Sequence, residues 1–396
     1  MRILFLSPWF PYPPVNGSKI RIYNLVRALA REHEVSLLSF VREGEVVDEQ
    51  GLRELCCSVQ TLPWREFVPR RVRALLGFLS PLPRSVVDTH SPEMESLVRA
   101  RVQHERPDVI VASQMGTAWY ASVVDGIPRI LDEVEIGAIH DAWANAPTRF
   151  SRWRRALTWA KVRRYAGMVA RAFDVCTVVS DKERALLRQA APDYEAVHVV
   201  PNGVDLENLR PGMAEPQPGT LVYNGALTYS ANYDAMRYFL EAILPQIRAQ
   251  SPEVTMRITG STQGVDIPAL RLPESVALTG YLPDVRPAVA GAWACVVPLR
   301  AGGGTRLKIL EAMALGTPVI ATTKGAEGLD VRPGEDILIA DDPADFAAQT
   351  VRLLRDSDLR RRLSRSGRAL VEARYGWDAI GQQFAQIVES VVEARR

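Results

Sequence analysis

Three features of this 396-residue sequence predict an α/β fold made of two doubly wound domains. Short apolar runs alternate with helical patterns along the chain, the grammar of a parallel sheet covered by helices. That series is interrupted once, at residues 205–219, by a stretch rich in Pro, Gly and Glu, and then begins again. A chain of this length also exceeds the size at which a single core keeps growing.

The opening run RILFLS (Arg2–Ser7) reads as a buried strand, and Pro8 ends it. The next segment places Ile20, Tyr23, Leu25 and Leu29 at helical spacing, with Ser18 available as the cap. The runs EVSLLSF, CSVQTL, PDVIVAS, IPRILDE, FDVCTVVS and AVHVVP complete the first series of strands. TLVYNGA, VTMRITG, SVALTGY, WACVVPL, TPVIAT and DILIA form the second, with the clearest helices at 232–250 and 343–355. The last helical segment, YGWDAIGQQFAQIVESVVEARR, fits either domain by its pattern. The boundaries read from this are 1–205 and 206–375, with 376–396 as a terminal helix.

Composition excludes several classes. With 47% hydrophobic and 24% charged residues the chain is an ordinary globular one. A formal net charge of +2 is uninformative, so only local clusters of charge carry meaning. Cys56, Cys57, Cys176 and Cys295 lack metal-type spacing and form no disulfide frame, which points to a reducing compartment and no metal site. No apolar run reaches the roughly 20 residues of a bilayer span, and MRILFLSPWF stops short of a signal-peptide core. The expected location is cytoplasmic. No G-x-G-x-x-G follows either opening strand, against a dinucleotide dehydrogenase, and no nucleic-acid-binding module is recognisable.

The most informative stretch is GGGTRLKILEAMALGTPVIAT, residues 302–322. Consecutive glycines entering a helix expose backbone N–H groups to anionic oxygens, and the helix dipole favours negative charge there. Arg306 and Lys308 add two cations, and Glu311 adds a carboxylate among Ile309, Leu310, Ala312 and Met313. The alternative is a helix-surface pair between Lys308 and Glu311, worth about 0.2–0.5 kcal/mol.

Taken with PNGVD (residues 201–205), LVYNGALTYSANYDAMRYFLEAILPQI, PYPPVNGSKIRIYNLVRAL and the closing YGWD, this stretch resembles the retaining glycosyltransferases of family 4, in particular sugar transferases of bacterial exopolysaccharide clusters. The resemblance covers nearly the whole chain. It implies a GT-B fold, two Rossmann-like domains facing a cleft, with the final helix returning to complete the first domain. It further implies a nucleotide-sugar donor (UDP- or GDP-linked) on the second domain, a saccharide or lipid-linked acceptor on the first, and no cofactor. On that reading Gly303, Gly304 and Thr305 offer amides to the diphosphate, Arg306 and Lys308 neutralise it without a metal, and Glu311 accepts from the ribose hydroxyls.

Two departures from the family pattern stand out. The family's carboxylate eight residues before Glu311 is replaced by Gly303, so side-chain recognition of the sugar is lost or moved. The Arg and Lys that follow the first strand of the second domain are absent from YNGALTYSANYD, so Arg306 and Lys308 would compensate. Elsewhere, Gly260 either admits a nucleotide or makes a strand-end turn, and Tyr281 either stacks on the base or is buried at a strand end. Gly17 fits the family's glycine loop or a plain turn, flanked by Lys19 and Arg21, which read as solvated. Val134 stands where relatives carry a sugar-contacting His. Asp132 or Glu133 would serve as a base toward an acceptor hydroxyl. His140 reads as structural more than functional.

One segment points beyond the sugar chemistry. Residues 149–173, from Arg149 to the aromatic Phe173, carry eight cations and no acid. Trp159, Val162, Ala166, Val169 and Phe173 make the core stripe, while Phe150, Trp153, Leu157 and Met168 mix with cations on the other face. Such a face suits an anionic membrane surface, or else packs under a neighbouring segment; VPRRVRALLGFL (68–79) is a second such piece. A peripheral position on the inner face of the plasma membrane is therefore expected. The competing functions are a nucleotide-sugar-binding protein without turnover and a sugar-nucleotide epimerase.

Overall fold

The computed structural model describes residues 1–45 and 47–395. Val46 and Arg396, which fall in the predicted first domain and terminal helix, lie outside the described residues. The chain divides into two compact units, 1–201 with 378–396, and 202–377. The division falls within four residues of the boundaries read from the sequence.

Among the described residues the first unit holds a sheet of seven strands: β1 (Arg2–Ser7), β2 (Glu34–Val41), β3 (Ser58–Pro63), β4 (Val109–Ser113), β5 (Arg129–Asp132), β6 (Val175–Val178) and β7 (Val197–Val199). Their order is β3-β2-β1-β4-β5-β6-β7, and every pairing is parallel. The second unit holds six: β8 (Thr220–Asn224), β9 (Thr255–Thr259), β10 (Val276–Gly280), β11 (Ala294–Val297), β12 (Val319–Ala321) and β13 (Leu338–Ile339). Their order is β10-β9-β8-β11-β12-β13, again all parallel. Each strand lies inside, or within one residue of, a run marked as a strand in the sequence. The reason is burial: β4, β8 and β11 are buried along their whole length, so they read as continuous apolar runs.

Both sheets wind outward from their first strand, and so each has one topological switch point. It lies between β1 and β4 in the first unit and between β8 and β11 in the second. Open α/β sheets bind ligands at the carboxyl ends of the strands there.

Three local readings need correction. The first helix, Gly17–Leu29, is capped by Asn16 rather than Ser18: Asn16 is extended, and its side chain accepts from the Lys19 amide at 3.1 Å. Its flanking cations are not solvated either, because Lys19 and Arg21 are both buried. The predicted helix 232–250 is Ser230–Tyr238 and Leu244–Gln250 joined by a π-helical turn, Phe239–Ile243. Pro245 has no N–H to donate back up the helix, and the wider turn absorbs the missing bond.

The terminal helix, Trp377–Glu393, packs on the first unit. A Cβ on Gly381 would lie 2.5 Å from that of Ala28, so only glycine permits the approach. Asp378 pairs with Arg31 at 2.5 Å and Glu389 meets His33 at 3.0 Å.

Candidate active site

At the switch point of the second sheet the loop after β11 runs into the helix Leu307–Ala314. Gly302 and Gly304 have φ of +104° and +77°, backbone that side chains resist, so the glycines are required by the loop itself. Arg306 is buried and its guanidinium grips this loop, donating to the carbonyls of Gly303 at 2.8 Å and Gly302 at 2.9 Å. Thr305 Oγ1 accepts from Asn202 Nδ2 at 3.0 Å. Among the described residues no hydrogen bond uses the amide N–H of Gly302, Gly303, Gly304 or Thr305. The carbonyls are thus occupied and the donors are left available. Arg306 therefore shapes the glycine loop rather than standing in it as a solvated charge.

Lys308 reaches away from its own helix. Its Nζ donates to Tyr223 Oη at 2.7 Å and Asn232 Oδ1 at 2.9 Å, and lies 4.0 Å from the centroid of the Tyr223 ring. A Cβ on Gly225 would be 2.6 Å from that nitrogen. The ammonium is therefore delivered to the loop after β8, the stretch YNGALTYSANYD that carries no cation of its own. Burial pulls Lys308 down to about 7, reinforced by Arg306 and opposed by Cys295 and Glu311.

Glu311 stands one helical turn on, half-buried. Its Oε2 accepts from Asn224 Nδ2 at 2.8 Å, and among the described residues nothing else bonds to the carboxylate. Burial raises its pKa. Lys308 and Glu311 form no ion pair among the described residues, so the surface-pair alternative is overturned. Asn224, Tyr223 and Asn232 hold the two charged groups apart, and none of the three was singled out in the sequence. Asn224, which ends β8 beside Gly225, and Asn232, in the helix that follows, were the available signal, uncharged polar residues in a largely apolar stretch.

The remaining candidates on this unit are more distant in role. Gly260 has φ of +104°, and a Cβ there would meet Ala226 N at 2.6 Å, so its bareness serves the chain's own backbone. Tyr281 is 73% exposed, which removes the buried-strand-end alternative and leaves its ring open.

At the first sheet's switch point, Gly17 is exposed as the first residue of its helix. Asp132, at the end of β5, is committed elsewhere: both oxygens bond to the fully buried Arg21, at 2.6 and 3.0 Å, and Oδ1 also accepts from Thr177 at 2.6 Å. It is no base. Arg21 Nη1 completes its set on the carbonyls of Val200 and Pro201. Glu133 is different. It is buried, with φ of +58°, and Oε2 accepts from Gln114 Nε2 at 2.8 Å. Gln114, at the end of β4, has φ of +61°; it also donates to Ser18 Oγ at 3.1 Å and accepts from Trp9 Nε1 at 3.2 Å. Non-glycine residues in this conformation are strained and concentrate at functional sites. Two of them here hold one carboxyl between them. Burial raises Glu133 to about 7, against the pull of Arg21.

Val134 is buried, and His140 packs edge-on to Trp143 and Trp159, as a structural residue does. Among the described residues no cluster of three His, Cys, Asp or Glu side chains could hold a metal ion. No described helix is long and apolar enough to cross a membrane. In the helix Arg149–Ala170 the predicted core residues are buried, while Phe150 and Trp153 are 72% and 75% exposed. Those outward rings do not pack under a neighbour.

Two all-parallel doubly wound sheets, each with its polar residues at the switch point, define a two-domain α/β protein of the GT-B type. The chain belongs to the family-4 glycosyltransferases. Residues 15–208 match the family described as Glycosyltransferase Family 4, and residues 218–356 the family described as Glycosyl transferases group 1. It is 26% identical to a GDP-mannose-dependent monoacylated alpha-(1-6)-phosphatidylinositol monomannoside mannosyltransferase of Corynebacterium glutamicum, over 55% of this chain and 62% of that one. It is 31% identical to a phosphatidyl-myo-inositol mannosyltransferase of Mycobacterium leprae, over 48% of this chain and 53% of the relative. The aligned part thus spans about half to three-fifths of these relatives' length. The fold matches sucrose-phosphate synthase of Thermosynechococcus elongatus with a TM-score of 0.73 at 19% identity, covering 100% of both chains. It matches HepE of Anabaena in complex with UDP-glucose with a TM-score of 0.66 at 16% identity, covering 98% of this chain and 100% of that one.

Proposed function

We propose that this protein transfers a sugar from a UDP- or GDP-linked donor to a saccharide or lipid-linked acceptor in cell-surface glycan or exopolysaccharide synthesis. Transfer proceeds with retention and without a resident metal or cofactor. The observation that carries this reading is the second-domain site, where Lys308 and Glu311 stand one helical turn apart without pairing, beside four amides that, among the described residues, donate to nothing.

In this reading the amides from Gly302 to Thr305 and the Lys308 ammonium receive the diphosphate, and Arg306 keeps the loop in shape. Glu311 Oε1 accepts from the ribose hydroxyls while Asn224 holds Oε2. Fixed donors of this kind stabilise the charge that develops as the diphosphate departs. The C1–O bond to the phosphate breaks, the acceptor oxygen bonds to C1 on the same face, and the acceptor proton passes to the departing phosphate oxygen. Glu133, strained and buried, touches the acceptor hydroxyl or the sugar. Gly17 borders the same space, Tyr281 stacks on the base, and Gly260 lets the loop after β8 close in. The relative from C. glutamicum is GDP-mannose-dependent and the Anabaena structure contains UDP-glucose, which supports a nucleotide sugar as donor.

The acceptor's place on the first unit supports a peripheral position at the cytoplasmic face of a membrane. The exposed rings of the helix Arg149–Ala170 lie among exposed Arg152, Arg154, Arg163 and Arg164. Binding to anionic but not neutral vesicles, lost on charge reversal at these arginines, would support this; failure of the intact protein to bind any vesicle would exclude it.

The deciding experiment is calorimetric titration of UDP, GDP and ADP into the full chain and into Glu311→Ala. One diphosphate should bind, and the substitution should remove most of the affinity. Equal binding by Glu311→Ala withdraws the site. A second reading, binding without turnover, draws on Gly303 and Val134, which replace side chains the family uses on the sugar. It would be favoured if donor binds but neither transfer nor slow donor hydrolysis is detected.

A further inference from the structure

The first unit contains a cavity of about 230 Å³ that the proposed chemistry does not use. Trp64, Phe67, Trp119, Tyr120 and Tyr165 give it an aromatic wall, and Gly116 leaves a gap in it. Two sets of neighbours give the cavity its meaning. Met115 and Gly116, which line it, directly follow the strained Gln114. Phe67, another wall residue, begins the segment that exposes Val68, Val72, Leu75, Leu76, Phe78 and Leu79. That segment is tied to the basic helix, because Lys161 Nζ donates to the carbonyls of Gly77 at 2.8 Å and Phe78 at 3.0 Å. The same helix contributes Val162 and Tyr165 to the cavity and Phe150, Trp153 and Leu157 to the surface. An apolar interior, an apolar exterior and a buried carboxyl therefore meet within a few residues.

We propose that this cavity receives the hydrocarbon tail of an anionic lipid acceptor, at the end of the tail nearest its phosphate. The proposal rests on the reading of the acceptor as lipid-linked. Three observations select this occupant. The wall is mainly aromatic, and several of its polar groups are already engaged: the Thr89 hydroxyl donates to the Ser85 carbonyl at 2.9 Å, Tyr120 Oη accepts from the Ser91 amide at 3.0 Å, and His90 Nε2 lies 3.8 Å from Glu95. A sugar ring would need more hydrogen bonds than that leaves. Trp119 Nε1 is buried with no partner, a single donor suited to the oxygen from which such a chain hangs. Arg65 and Arg70, exposed on the adjoining segment, make no ion pair among the described residues and match a phosphate headgroup in charge.

The test uses the full chain without donor. Farnesyl phosphate and dihexanoyl phosphatidic acid are titrated separately below their micellar concentrations, and tryptophan fluorescence is read, because Trp64 and Trp119 line the cavity. A saturable change with either supports the proposal, and the one that binds names the lipid class. Gly116→Leu fills the gap; a Cβ there meets nothing closer than Pro8 Cβ at 3.8 Å, so the fold has room for it. This variant should bind at least about tenfold more weakly, with nucleoside diphosphate titration unchanged. Trp119→Phe, which keeps the ring and loses the donor, should weaken binding less. No saturable change with either amphiphile, wild-type affinity in Gly116→Leu, or saturation by a methyl hexoside that amphiphile does not displace would each overturn it. Lipid binding without nucleotide binding would remove the transferase reading and leave the cavity assigned; the reverse would do the opposite.

Discussion

The two switch points treat charge in opposite ways. In the first domain the deepest cation, Arg21, is fully spent: Asp132 takes it bidentately and two carbonyls take the rest. In the second, Lys308 and Glu311 are held apart by Tyr223, Asn232 and Asn224, so neither cancels the other. A pair that closes on itself organises a fold. Charges kept apart and half-buried retain an interaction for something that arrives later. The lesson is that proximity in sequence, as at Lys308 and Glu311, says less about pairing than the side chains that intervene in space.

The contrast breaks most visibly if the closed pair is opened. Asp132→Asn leaves Arg21 buried and uncompensated, and should cost about 3–5 kcal/mol of stability, read as a lowered denaturant midpoint. Lys308→Met, by comparison, should cost little stability and weaken nucleoside diphosphate binding by about 10- to 100-fold in calorimetry. Equal losses of stability in the two variants would erase the distinction.

Glu133 sharpens it in a different way. Its carboxyl is raised to about 7 in the folded protein, so the folded state binds more protons than the unfolded one between the ordinary carboxyl value and 7. The contribution is neutral at low pH and becomes a penalty as pH rises through that window. Glu133→Gln should therefore stabilise the protein at pH 8, by on the order of 1–3 kcal/mol, and not at pH 4. If it lies at the reacting centre, the same variant should lose turnover while keeping nucleotide affinity.

A smaller effect concerns the Lys308 ammonium, which is charged below about 7 and increasingly neutral above it. Affinity for a nucleoside diphosphate should fall by up to about tenfold between pH 6 and 8.5. Lys308→Arg, which stays charged, should flatten that profile. The smallest effect belongs to Tyr281→Ala. Loss of one exposed ring should weaken nucleotide binding by no more than about tenfold, and no change at all would take Tyr281 out of the site.

Much of the frame was legible because buried parallel strands write themselves as apolar runs. The glycine loop and Glu311 were legible too, since a helix N-terminus with a carboxylate inside an apolar stripe is a local pattern. What the sequence hid was tertiary. A Lys308–Glu311 pair stood as the alternative because the two share a helix, yet the partners of Lys308 come from β8 and the helix after it. Arg306 looked like a free cation because loop carbonyls leave no trace in a sequence. Gln114 and Glu133 gave no signal of their left-handed backbone, and they meet only because β4 and β5 are neighbours.

The return of the terminal helix to the first domain sets an order of events during synthesis. Ile380, Phe384, Val388 and Val391 are buried there, yet they are made only after the whole second domain. As the chain leaves the ribosome, the second domain can finish folding while the first still presents an uncovered groove beside Ala28. A chain broken off before residue 378 would therefore expose that groove in the domain synthesised first, and the lesion would lie far from the break.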